Sequence, residues 1–121
     1  MMAQIVLLAE DEQELRDYLA MILEQDGFRV LEAADGIDAL SLLRRMGGMV
    51  DILVTDVSMP RMTGIELVNE VKLEFPKIPV IYISGQGLRD ELHDPRRRVM
   101  FLQKPFAPQA IRDVMHAVTA A

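Results

Sequence analysis

The sequence has no cysteine. That one absence excludes disulfide scaffolds, thiol nucleophiles and thiolate metal sites together, and it fits a reducing compartment. Histidine is almost missing as well: His93 and His116 are the only two, too few for a histidine-rich metal site. Basic residues are outnumbered, 13 Lys and Arg against 19 Asp and Glu, so the formal charge is −6. An acidic chain repels phosphate backbones, which argues against direct nucleic-acid binding. No apolar run is long enough to span a bilayer and no leader-like segment opens the chain, so a cytoplasmic protein with no membrane contact is expected. No repeat and no low-complexity linker divides the 121 residues, which fit a single domain over 1–121. There is no GxxxxGK[ST] phosphate loop either.

What is present is an alternation of two periodicities. Gln4–Ala9, with Ile5, Val6, Leu7 and Leu8 in succession, reads as a buried strand. After the acidic cluster Glu10, Asp11 and Glu12, the residues Leu15, Tyr18, Leu19, Ile22 and Leu23 fall on one helical stripe, with Gly27 as its stop. Arg29–Ala33 is a second strand, and a helix capped by Asp35 runs through Ile37, Leu40 and Leu43 toward Gly47-Gly48. Met49–Thr55 is a third strand, ending at Asp56. Val57–Gly64 is a loop, and helical spacing resumes from Ile65 to Phe75-Pro76. Val80–Ile83 makes a fourth strand, Leu88–His93 a short helix cut by Pro95, Val99–Leu102 a fifth strand, and Pro108 onward a last amphipathic helix. Strands and helices in alternation predict an α/β fold, a doubly wound five-stranded parallel sheet with helices on both faces.

In such sheets the ligand crevice lies beyond the carboxyl ends of the strands. Those ends carry Glu10-Asp11, Asp56, Ser84 and Lys104. Each has a bland reading: an acidic helix start balances the macrodipole, Asp56 and Ser84-Gly85 suit turns, and a lone lysine is commonly solvated. Their joint placement at one edge is harder to dismiss. Clustered carboxylates raise one another's pKa unless a cation joins them, and a hard divalent ion such as Mg²⁺ suits oxygen ligands. No histidine follows a strand to serve as a general base, and the first strand-to-helix turn is acidic where a dinucleotide needs glycines. What remains is a carboxylate nucleophile that takes a phosphoryl group, with metal and ammonium on its oxygens.

Glu10-Asp11, Asp56, Met59-Pro60, Gly64, Ser84 and Lys104-Pro105-Phe106 resemble the motif set of the response-regulator receiver domain, the CheY-like family. The likeness runs from the first strand to the last helix and implies a flavodoxin-like fold. It also implies roles. Asp56 resembles the acceptor of a phosphoryl group from a phosphohistidine on a sensor histidine kinase or histidine phosphotransfer protein. Glu10, Asp11, Asp56 and the backbone carbonyl of Ser58 resemble the Mg²⁺ ligands. Lys104 is similar to the lysine that pairs with the phosphoryl group, and Ser84 to the hydroxyl that closes onto it. Phe101, three residues before Lys104, stands at the switch aromatic and is expected to turn inward on phosphorylation. A cis Lys104–Pro105 bond is implied too.

The family's function is two-component or phosphorelay signal transduction, and pairing of two copies through the face between the fourth and fifth predicted helices would fit it. The string Phe101–Phe106 and the short fourth helix look somewhat more like the receiver of a hybrid sensor kinase than a free-standing regulator. With no output segment after Ala121, neither DNA binding nor metabolic catalysis is expected of this chain. A phosphorylation-independent interaction module is the alternative. An aspartyl-phosphate phosphatase of the haloacid-dehalogenase type is disfavoured, since it needs an Asp where Ser58 stands.

Some segments depart from the family pattern. Ser58 and Gln86 occupy positions that tune phosphate lifetime, and Arg98-Val99-Met100 stands where a Gly-Ala pair is common. The run Arg96-Arg97-Arg98 reads as a solvated loop, or else as a docking surface for an acidic partner. Met21, Met46, Met62 and Met115 read as core or helix-flank fillers, and His93 and His116 as surface residues of helices.

Overall fold

An apolar run without alternation needs cover on both sides, and the first strand has it. Val6 and Leu8 enter one buried cluster, while Leu7 and Ala9 enter another on the opposite face. The structure, a computed structural model, describes residues 3–85 and 92–119. Its elements are β1 (Ile5–Ala9), α1 (Gln13–Gln25), β2 (Arg29–Ala33), α2 (Gly36–Arg45), β3 (Ile52–Asp56), α3 (Gly64–Glu74) and β4 (Val80–Ser84). A 3-10 turn (Pro95–Arg97), β5 (Val99–Gln103) and α4 (Pro108–Thr119) complete the order. The five strands form one sheet in the order β2-β1-β3-β4-β5, every pair parallel.

The two faces are covered by different helices. Leu19, Ile22 and Leu23 of α1, with Ile111, Met115 and Val118 of α4, pack over Val6, Leu8, Ile52, Val54, Ile81 and Ile83. Leu40 and Leu43 of α2, with Leu67, Val68 and Val71 of α3, pack over Leu7, Leu53, Val80 and Tyr82. The doubly wound architecture expected from the sequence is the one observed. Because β1 lies between β2 and β3, successive connections leave it in opposite directions. This topological switch point opens a crevice at the carboxyl ends of β1 and β3, and the candidate residues stand there.

Local chemistry fixes the helix starts. The Asp35 side chain accepts the Asp38 N–H at 2.9 Å to cap α2. Thr63 and Glu66 form a reciprocal capping box that starts α3 just upstream of the periodic residues.

Several segments differ from the sequence expectation. β3 begins at Ile52 rather than Met49: Gly47 and Gly48 take positive φ, Val50 N–H closes a tight turn onto the Gly48 carbonyl, and Met49 is exposed. Of the predicted helix Leu88–His93, residues 88–91 lie outside the described residues, as does Gln86. His93 is half-buried rather than on the surface, and its Nδ1 is buried with no hydrogen-bond partner among the described residues. His116 is exposed as expected, with Nε2 3.1 Å from Asp26 Oδ2. Arg96 and Arg97 are exposed, but Arg98 leaves the solvated run: at φ 58° it donates to the Val118 carbonyl at 2.7 Å and ties the end of α4 to the sheet. Met115 is core, Met46 and Met62 are half-buried, and Met21 is exposed on α1.

Candidate functional site

β1 keeps its pairing one residue past its end, where Glu10 N–H donates to the Ala33 carbonyl at 3.0 Å. This draws the Glu10 side chain inside, to 1% exposure. Its Oε2 accepts the Glu12 N–H at 3.0 Å, while Oε1 is buried with no hydrogen-bond partner among the described residues. Asp11, next in the chain, is exposed. The Arg16 guanidinium reaches back from α1 to the Glu10 carbonyl at 2.8 Å and stands 3.5 Å from Glu32, which fixes the turn.

β3 delivers Asp56 to the same edge, almost buried. Asp56 Oδ1 accepts the Ser58 N–H at 3.2 Å, and Oδ2 accepts from Lys104 Nζ at 3.0 Å. The chain turns sharply after Asp56, and Gly64 N–H returns to the Val57 carbonyl at 2.8 Å. A Cβ at position 64 would sit 1.9 Å from the Asp56 carbonyl oxygen, so only glycine fits there. Lys104, just beyond β5, also stands 3.6 Å from Glu10 Oε1. The Lys104–Pro105 bond is cis, as the resemblance implied.

The electrostatics follow from this crowding. Burial pushes the Glu10 carboxyl up to about 8, and neighbouring Asp56 adds to the shift against the pull of the Glu12 N–H and Lys104. Burial works against the Lys104 ammonium, but its hydrogen bond to Asp56 and the charges of Asp56, Glu10 and Glu12 outweigh it, so its pKa is raised. One carboxylate oxygen each from Glu10, Asp11 and Asp56 lie within 4.8 Å of one another. Three carboxylates clustered together, two of them beside the Lys104 ammonium, with an unsatisfied buried Glu10 oxygen, fit a hard divalent cation.

Glu10, Asp11, Asp56, Lys104 and the Ser58 backbone therefore meet in one place. Ser84 is buried at the end of β4, and its carbonyl accepts the Lys104 N–H at 2.8 Å. Phe101 sits opposite Tyr82 in the sheet register and is buried against the α2–α3 side. Its ring is already inside, whereas the resemblance expected an inward turn on phosphorylation. Sequence reasoning missed Arg16 and Arg61, which pair with residues distant in the chain, and it saw only the capping half of Asp35.

The profile of the response regulator receiver domain matches residues 6–116. Over 80 residues the chain is 44% identical to the sensor kinase CckA of Brucella abortus (strain 2308), covering 66% of this chain and 8% of that protein. It is 32% identical to the response regulator GtcR of Aneurinibacillus migulanus, covering 88% of this chain and 44% of the relative. The chain thus spans less than half the length of these relatives. The crystal structure of the receiver domain from the hybrid histidine kinase CckA superposes with a TM-score of 0.82 at 31% identity, covering 95% of this chain and 98% of that one. Sheet order, switch-point site and sequence profile agree: the chain belongs to the response-regulator receiver domain family of two-component signalling.

Proposed function

We propose that Asp56 accepts a phosphoryl group from a phosphohistidine, in a Mg²⁺-dependent reaction, and that the resulting charge switches a partner-binding surface. The observation that carries this reading is the setting of Asp56, whose Oδ2 is paired with Lys104 at 3.0 Å beside the Glu10 and Asp11 carboxylates. The donor is a sensor histidine kinase or a histidine phosphotransfer protein, in keeping with the likeness to a sensor kinase and to response regulators. The chain acts as an acceptor, not as an enzyme turning over a separate substrate, and it works in the cytoplasm. It makes no direct contact with nucleic acid or membrane. Among the described residues no helix is long and apolar enough to cross a bilayer. Two copies can pair through the face between the predicted fourth helix, Leu88–His93, of which residues 88–91 lie outside the described residues, and the last helix, α4.

Glu10, Asp11, Asp56 and the Ser58 carbonyl would hold the Mg²⁺, whose charge, when bound, offsets that of the phosphoryl oxygens. The chain's own residues do the rest. A carboxylate oxygen of Asp56 attacks phosphorus; the O–P bond forms as the P–N bond breaks, and its electron pair stays with the donor imidazole. The Ser58 N–H holds Asp56 Oδ1 and so orients the attacking group. Lys104, kept charged by its carboxylate neighbours, passes from Asp56 to a phosphoryl oxygen. Ser84, from the adjacent strand end, donates its hydroxyl to another. Phosphorylation adds roughly 1.5 to 2 negative charges and three acceptor oxygens. Ser84 at the end of β4 and Lys104 just beyond β5 answer that change, and Lys104 draws on β5, which carries Phe101, so phosphorylation holds the ring in its buried position.

Chemical lability tests the reading. Label incorporated from acetyl phosphate in the presence of Mg²⁺ is expected to be released by hydroxylamine, as an acyl phosphate is. Hydroxylamine-stable label would place it on a hydroxyl such as Ser58 or Ser84 and contradict the assignment.

A further inference from the structure

The loop that follows Asp56 is fastened to a helix it does not precede. Arg61 lies in that loop with φ 65°, the left-handed region that non-glycine residues avoid. Its Nε is 2.7 Å from Asp35 Oδ2 and its terminal nitrogen 2.9 Å from Asp38 Oδ1. Asp35 is buried, and its other oxygen caps α2. Next to Arg61, Met62 packs so closely on Gly36 that a Cβ there would stand 2.7 Å from the Met62 carbonyl oxygen. An exposed ion pair commonly contributes little. This one spans two carboxylates, one of them buried, and holds an unfavourable backbone conformation in place. The Arg61 guanidinium also keeps the Asp35 carboxyl below its ordinary range.

We infer that Arg61 is a positioning residue of the acceptor site: bridged to Asp35 and Asp38, it locks loop 57–63 onto the start of α2 and so fixes Ser58 beside Asp56. The inference rests on the reading of Ser58 as a cation ligand and Asp56 as the acceptor. Ser58 is exposed, so side-chain burial does not hold it. Its backbone is placed by the turn that begins at Asp56 and by whatever restrains the rest of the loop. Met62 N–H to the Pro60 carbonyl at 2.7 Å and Gly64 N–H to the Val57 carbonyl fold the loop on itself. Arg61 then anchors that folded unit to α2. Residues that orient metal ligands through a second contact commonly change metal affinity about 10- to 100-fold when lost.

The test uses Arg61→Gly, which removes both ion pairs and suits the left-handed backbone, so folding is retained. Arg44→Ala is the control; it removes the Arg44 pair with Glu74, also between α2 and a neighbouring element. Mg²⁺ alone is titrated by calorimetry, and acetyl phosphate then reports phosphorylation across Mg²⁺ concentrations. Arg61→Gly is expected to weaken Mg²⁺ binding about tenfold. Its phosphorylation rate should recover near the wild-type value at saturating Mg²⁺, a split that mere loss of stability does not produce. Arg44→Ala is expected to bind Mg²⁺ as the wild type does. Wild-type protein that binds Mg²⁺, with Arg61→Gly binding equally well, overturns the positioning role alone. Wild-type protein that binds no Mg²⁺ overturns the site reading and the positioning role together.

Discussion

Lys104 Nζ stands 3.0 Å from Asp56 Oδ2 although their strands are not neighbours: β4 lies between β3 and β5. The lysine crosses the end of β4, and so one ammonium links the acceptor to the strand that carries Phe101. Lys104→Met is expected to slow phosphorylation of Asp56 by small donors about a hundredfold, the scale for losing one donor to developing charge. Mg²⁺ affinity should be kept or improved, because a competing cation is gone. Stopped-flow phosphorylation beside Mg²⁺ calorimetry checks both halves, and an unchanged rate would remove Lys104 from the reaction.

Glu10 makes the cation response depend on pH. Its folded-state pKa is raised, to about 8, so its contribution to stability is present below the unfolded value of 4.5 and is lost as pH rises toward 8. A metal ion needs the carboxylate, and therefore competes with that proton. The rise in melting temperature on adding Mg²⁺ is expected to be larger at about pH 8.5, just above the titration's centre, than at about pH 6, roughly two units below it. An equal rise at both would show that Glu10 is not a ligand. Glu10→Gln should flatten the difference.

Lys72 carries the opposite sign. It is a buried residue of α3 whose ammonium donates to the carbonyls of Pro76 and Ile78, and burial, helped by Arg97 and Arg98, lowers its pKa to about 8. Between about 8 and the ordinary 10.5 the unfolded chain holds the extra proton, so stability rises with pH across that window. Denaturant unfolding of wild type and Lys72→Met is expected to show the wild type gaining on the variant from pH 7.5 to pH 10 (roughly the ends of that window). A constant difference would mean that the ammonium is not penalised by burial.

The α4 layer should tolerate little. Ile111 is fully buried between α4 and the sheet, and Ile111→Ala is expected to cost about 2–5 kcal/mol. Leu73, 79% exposed on α3, sets the comparison, and Leu73→Ala should stay within about 0.5 kcal/mol of wild type. Chemical denaturation of the pair checks the packing of the two layers.

The parts legible in the sequence were those written in local pattern. Ile5–Leu8 announced a strand covered on both faces, and Asp56 and Lys104 were found because each follows such a run. Two kinds of feature were not legible. One was long-range pairing: Arg61 and Asp35 are 26 residues apart, and neither residue type nor spacing indicates that an arginine will fold back onto a helix cap. Arg98, in a run that looked solvated, likewise meets the end of α4 only because β5 and α4 are adjacent. The other was local backbone geometry that overrides propensity. Met49 and Val50 look like strand residues, but the positive φ of Gly47 and Gly48 delays the strand to Ile52. The buried pose of Phe101 depends on how closely α2 and α3 cover the sheet, which no local pattern records.

The most direct test of the account is the intact mass of the wild-type protein and of Asp56→Asn after incubation with acetyl phosphate, with and without Mg²⁺. A single phosphate adduct on the wild type that requires Mg²⁺ and is missing from Asp56→Asn is the expected result. An adduct that survives in Asp56→Asn, or none on either protein, would contradict Asp56 as the acceptor.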